Sequence, residues 1–131
     1  MFSGKLHHVG IIVHEEDRVP ELAATFGLSL GRTEYVEEYE ALCIFTEGAL
    51  GVIEFIVPKG PKLAKFNKGM GGLHHIAIQV DDIEQVTEEL KAKDMQLLEE
   101  KAVDAGPILI NFLPPAYTRG ITVEYIQNKT S

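Results

Sequence analysis

Cysteine is nearly absent from this chain. Cys43 is the only one in 131 residues, so no internal disulfide can form, and a reducing cytoplasm is the expected setting. Basic residues are also few: 12 Lys and Arg stand against 20 Asp and Glu, for a net charge of −8. No Lys/Arg cluster breaks that balance, which leaves a nucleic-acid or anionic-membrane role without electrostatic support. No apolar run approaches the roughly 20 residues that a membrane span needs. The N-terminal stretch MFSGKLHHVGIIVHEEDR lacks a basic leading segment and a small-residue cleavage site, so no signal peptide is expected. What is present is 45% hydrophobic and 24% charged, with 12 Gly and 6 Pro, the composition of an ordinary globular chain and not of a collagen-like or disordered one. The length suits one compact domain, or two very small modules sharing a core.

The chain repeats itself. Residues 6–13 read LHHVGIIV and residues 73–80 read LHHIAIQV, with five of eight positions identical at an offset of 67. A second echo runs in the same order: Ile53-Glu54-Phe55-Ile56 matches Val123-Glu124-Tyr125-Ile126, 70 residues later. Two matches at similar spacing point to a duplication. The halves are residues 1–66 and 67–131, joined through the glycine-rich Asn67-Lys68-Gly69-Met70-Gly71-Gly72.

Each half is expected to be βαβββ. In the first, residues 6–13 form a β-branched strand, and Pro20 opens a helix that Gly27 ends. Strands at about 29–38, 41–47 and 50–57 follow. A short connecting helix is expected over 62–68. In the second half, the strand 73–80 leads to Asp81-Asp82, which caps a helix over 83–93 with Ile83, Val86 and Leu90 at helical spacing. Strands at about 95–101, 107–113 and 120–127 complete it.

Strand alternation separates the histidines. His7, Val9, Ile11 and Val13 share one face, and His8, Gly10 and Ile12 the other. In the second copy His74, Ile76, Ile78 and Val80 form the apolar set, opposite His75, Ala77 and Gln79. Small residues beside His8 and His75 leave room on a concave face, which makes these two the candidate ligands. The plainer alternative is four half-buried histidines at sheet edges, and the repeat counts against it. Glu54 and Glu124 each interrupt an apolar strand, where an ionised carboxylate is expensive unless paired or metal-bound. The resulting 2-His-2-Glu set suits a divalent ion such as Co, Ni, Zn or Mn, and without cysteine ligands it argues against a closed structural zinc site. Four protein ligands in octahedral geometry leave two positions for water or substrate, a catalytic arrangement.

These residues resemble the vicinal oxygen chelate (glyoxalase/bleomycin resistance/dioxygenase) superfamily, and within it the methylmalonyl-CoA epimerases more closely than glyoxalase I. The segment KFNKGMGGLHHIAIQVDDIEQVTEELKAKDMQLLEE carries most of the likeness, with LHHVGIIV, VIEFIVP and ITVEYIQ as the other metal-bearing strands. The resemblance implies an α+β fold of two repeated βαβββ modules forming a curved half-barrel sheet. It also implies metal ligands at His8, Glu54, His75 and Glu124. The implied activity is inversion of an acidic carbon alpha to a thioester through a metal-stabilised enolate, with a base on each face. Glu124 is implied as one base. The other falls at Glu38 within Glu37-Glu38-Tyr39-Glu40, although Glu37 and Glu40 stay open and the family's Gln-Gly is replaced by Tyr39-Glu40.

Further departures bear on the substrate. Pro114-Pro115 replaces a His-Pro pair, and Tyr117 and Arg119 sit in the loop before the Glu124 strand. The expected substrate is an acyl-CoA thioester and the expected assembly a homodimer. A glyoxalase-type lyase acting on a thiol adduct is the alternative, since it uses the same four ligands. A binding module of the antibiotic-sequestering type generally lacks the metal set, and extradiol dioxygenases use two His and one Glu. Lys59, Lys62, Lys65 and Lys68 are candidates for phosphate contacts, against a plain solvated lysine face. Cys43 reads as a small strand residue.

Overall fold

The computed structural model describes residues 1–49 and 51–129. Leu50, the first residue of the strand expected over 50–57, lies outside them, as do Thr130 and Ser131 at the end of the second expected half. The chain packs as two compact units, one of residues 8–74 and one of residues 1–7 together with those from His75 onward.

In the first unit, β1 (Gly4–Ile12) contributes its residues from His8, followed by α1 (Val19–Thr25), β2 (Leu30–Val36), β3 (Ala41–Thr46) and β4 (Val52–Pro58). The strand order is β2-β3-β4-β1, with β4 parallel to β1 and the other pairs antiparallel. Pro20 sits in the first turn of α1, where its missing N–H is not needed, and Val19 and Ala23 are buried by the helix. One sheet face packs there, with Val19, Ala23, Ile44, Phe55 and Val57 as its core. The opposite face holds a smaller cluster of Ile12, Ala41, Cys43 and Ile56.

The strand expected over 29–38 ends at Val36, because the chain turns through a 3-10 segment at Glu37–Tyr39 and Glu40 takes a left-handed φ of 52°. That turn is fastened at its end: the Lys59 N–H donates to the Glu40 carbonyl at 2.7 Å. The connecting helix expected over 62–68 is shorter and kinked. It comprises α2 (Pro61–Ala64) and a 3-10 turn at Phe66–Gly69, inside which Asn67 and Lys68 are left-handed. Gly71 then passes close to β1. At its φ of +75° a Cβ would meet the Ile12 carbonyl oxygen at 2.6 Å, so only glycine fits there.

The second unit repeats the plan with β5 (Gly72–Val80), of which it takes the residues from His75, then α3 (Ile83–Lys91), β6 (Val103–Ala105), β7 (Ile108–Leu113) and β8 (Thr122–Asn128). Its order is β5-β8-β7-β6, again with the first pair parallel. Asp82 caps α3 by accepting from the Glu84 N–H at 3.0 Å, as its position before the apolar periodicity predicts. Ile83, Val86 and Leu90 bury the helix against Val80, Leu113, Val123 and Tyr125.

The strand expected over 95–101 does not form. The backbone of Glu99 is engaged instead by the buried Asn111: its N–H donates to Asn111 Oδ1, and its carbonyl accepts from Asn111 Nδ2, both at 3.0 Å. Leu98 N–H reaches the Phe112 carbonyl at 2.8 Å. With these groups satisfied by a clamp and not by a ladder, the edge strand starts only at Val103. Among the described residues no helix is long and apolar enough to cross a membrane.

Candidate metal centre

The strand registers place the candidate ligands identically in the two units. In the first, Gly10 of β1 lies beside Glu54 of β4, and His8 stands two residues earlier on the same face. In the second, Ala77 of β5 lies beside Glu124 of β8, with His75 two residues earlier. The residue next to each glutamate on the parallel strand is small, Gly10 or Ala77. His8 Nε2 stands 3.4 Å from Glu54 Oε1, and His75 Nε2 stands 3.4 Å from Glu124 Oε1. Both histidines are 6% exposed, whereas His7 is exposed and His74 is half-buried with its ring edge against Phe66.

A third position repeats as well. Phe45 of β3 lies opposite Glu54, and Phe112 of β7 lies opposite Glu124. The ring of Phe45 meets the His8 imidazole edge-on, with centroids 6.3 Å apart. Each imidazole–carboxylate pair is therefore walled by an aromatic on the side away from the parallel strand. The sequence carried this signal at the histidines' own offset of 67, but Cys43-Ile44-Phe45 and Ile110-Asn111-Phe112 share only the aromatic.

The residues fit a divalent cation. Two ligand atoms each roughly 2.0–2.2 Å from one ion stand roughly 3.0–3.4 Å apart, and each pair has that spacing at near-complete burial. The donors are imidazole nitrogen and carboxylate oxygen, the chemistry that borderline and hard divalent ions accept. A partly buried carboxylate is also the kind of group a cation stabilises.

The remaining sequence candidates lie elsewhere on their units. Glu38 is exposed in the turn between β2 and β3, and its carbonyl accepts from Lys62 Nζ at 2.7 Å. Glu37 is exposed in the same turn, while Glu40 folds its side chain over Gly60. The turn precedes Ala41, and Phe45 lies four residues further along β3, a rise of about 13 Å. Tyr117 and Arg119 are exposed around a 3-10 turn at Pro115–Tyr117. Lys59 is paired with Glu16 at 2.6 Å. Cys43 is buried, facing the same way as Phe45 and Glu54.

Residues 7–112 match the profile of the Glyoxalase/Bleomycin resistance/Dioxygenase superfamily. The chain is 30% identical to the mitochondrial methylmalonyl-CoA epimerase of Homo sapiens over 131 residues, covering 95% of this chain and 74% of that one. A solved hypothetical protein from Bacillus halodurans superposes with a TM-score of 0.82 at 30% identity, covering 98% of this chain and 97% of the other. A methylmalonyl-CoA epimerase solved in complex with methylmalonyl-CoA and ammonium superposes with a TM-score of 0.78 at 22% identity, covering 97% and 96%. The expected α+β fold of paired βαβββ modules is therefore the fold of these structures.

Proposed function

We propose, for a chain that belongs to the Glyoxalase/Bleomycin resistance/Dioxygenase superfamily, that it is a metal-dependent epimerase of a 2-substituted acyl-CoA thioester, of the methylmalonyl-CoA type. The observation that carries the reading is the twice-repeated imidazole–carboxylate pair at 3.4 Å, buried where the two halves of the sequence repeat. The similarity to methylmalonyl-CoA epimerases over nearly the whole chain supports the substrate class.

In this reading His8, Glu54, His75 and Glu124 together hold one divalent ion, Co, Ni, Zn or Mn. When bound, the ion supplies positive charge that favours an enolate oxygen over the neutral thioester carbonyl, worth several kcal/mol. The chain's own residues do the rest. His8 and His75 are neutral donors whose burial fixes their rings, and Phe45 and Phe112 keep water from the carboxylates beside them. Glu124 takes the proton from one face of the acidic carbon, and a second group returns one to the other face, so that configuration inverts.

Glu38 is the second group in this proposal. Its place in the β2–β3 turn requires that turn to fold over the ligand-bearing face when substrate is bound. The modules of residues 1–66 and 67–131, descended from one ancestor, the homodimer and the cytoplasmic setting belong to the same proposal. The last rests on a single buried cysteine.

Exchange of the substrate's 2-H in deuterated buffer, followed by NMR, tests the reading. Metal-loaded protein should wash the 2-H signal out of methylmalonyl-CoA and leave a methylglyoxal–glutathione hemithioacetal unchanged. Turnover of the hemithioacetal alone would move the protein to the glyoxalase type. Silence on both would remove the epimerase reading.

A further inference from the structure

The ligand-bearing face of the first unit carries two charged side chains on its outermost strand. β2 pairs with β3 so that Glu34 lies opposite Cys43 and Val36 opposite Ala41. Directly opposed residues share a sheet face, so Glu34 stands with Cys43, Phe45 and Glu54. Arg32 lies in an irregular stretch of the pairing between Leu30 and Thr33, and its contact with Phe45 brings its guanidinium to them. The guanidinium carbon of Arg32 lies 4.1 Å from the centroid of the Phe45 ring. The same ring meets His8 on its other flank, with centroids 6.3 Å apart. One aromatic side chain thus separates a fixed positive charge from a candidate metal ligand.

The second unit repeats this arrangement only in part. Phe112 lies opposite Glu124 as Phe45 lies opposite Glu54, and the strand pair continues with Val103 opposite Ile110 where the first unit has Glu34 opposite Cys43. The outer strand of the second unit has Val103 and Ala105 at the places of Glu34 and Val36, and Lys101 stands two residues before Val103 as Arg32 stands two before Glu34. The frame does not need a carboxylate at the Glu34 place. Nor does Glu34 neutralise Arg32: the Nε–Oε2 distance is 3.9 Å with the side chains 67% and 61% exposed, a pair of little strength. Stacking on Phe45 restrains the guanidinium without using its N–H donors, which remain suited to a planar or tetrahedral oxyanion.

We propose that Arg32 is the anion-recognition residue of this site, with Phe45 as the side chain that positions it. Its ligand is an anionic oxygen group of the substrate, either the free carboxylate of a dicarboxylic acyl thioester or a phosphate of the thiol carrier. The proposal rests on the epimerase reading for the identity of that substrate, and on the first unit's geometry for the residue.

Calorimetric titration of metal-loaded wild-type, Arg32→Met and Arg32→Lys proteins tests it. The probes are methylmalonyl-CoA, methylmalonyl-pantetheine, which keeps the carboxylate without the phosphates, and butyryl-CoA, which keeps the phosphates without the carboxylate. Arg32→Met should bind methylmalonyl-CoA roughly tenfold or more weakly, at unchanged metal content and melting temperature. Arg32→Lys, which keeps the charge and loses the fork, should fall between and gives a second reading independent of how the first variant folds. A loss shared by the pantetheine ester alone assigns the carboxylate, and a loss shared by butyryl-CoA alone assigns the phosphate. Equal affinity of wild type and both variants for all three probes overturns the proposal. Should wild type bind none of them, the epimerase reading falls first. S-lactoylglutathione, which carries carboxylates and no phosphate, then replaces the probes, and equal or absent binding to wild type and variants overturns the proposal.

Discussion

At the scale of single residues, the site separates side chains that hold from those that act. His8 and His75 are buried donors whose removal leaves a buried carboxylate without its neighbour at 3.4 Å. His8→Ala and His75→Ala are each expected to lose bound metal, as read by metal analysis after desalting. Glu124 is the residue whose replacement separates binding from chemistry. Glu124→Gln should lower the rate of 2-H exchange by about 10²–10⁴-fold, the usual worth of a positioned general base. Full turnover with metal retained would show that the base lies elsewhere. Glu38→Gln should slow the same exchange if the β2–β3 turn closes over substrate, and an unchanged rate would remove that residue from the mechanism.

Elements carry the next predictions. Asn111 fastens the segment before β6 to β7 through two hydrogen bonds, with Glu99 N–H and the Glu99 carbonyl, and its Oδ1 also accepts from its neighbour Phe112 N–H. Asn111→Ala leaves partly buried backbone groups without this partner, and a loss of about 2 kcal/mol, roughly 6–8 °C in melting temperature, is expected. A shift within about 2 °C would mean that the segment finds other partners. Gly71→Ala meets both a left-handed φ and the Ile12 carbonyl, and destabilisation of about 1–3 kcal/mol is expected in denaturant unfolding.

These two residues also mark what the sequence conceals. Helices and long strands were legible because apolar periodicity, Pro20 and Asp82 signal them locally, and the ligand faces followed from alternation once the repeat was seen. Residues 95–101 looked like a strand by composition. The competing clamp from Asn111, twelve residues away from Glu99, has no local signature. The end of β2 was misplaced for a related reason: the turn at Glu37–Tyr39 is held through Glu40 by Lys59, on the far side of two strands. Phe45 and Arg32 carry no comparable local signal, because the repeat is strongest at β1/β5 and β4/β8 and fades along β2 and β3.

For the whole molecule, two imidazole–carboxylate pairs of equal spacing occur in one short chain, and the proposed function has them hold one ion together. Chelation with EDTA should therefore abolish 2-H exchange, and a single divalent ion added back per chain should restore it. The outer strands of the halves have diverged at one place, where the first carries Glu34 and the second Val103. The most direct measurement is metal stoichiometry per chain in wild type and in variants disabled in either half, His8→Ala and His75→Ala. The account predicts about one ion per chain in the wild type and little in either variant. Two ions per chain, each lost independently, or full occupancy in a variant of either half, would contradict it.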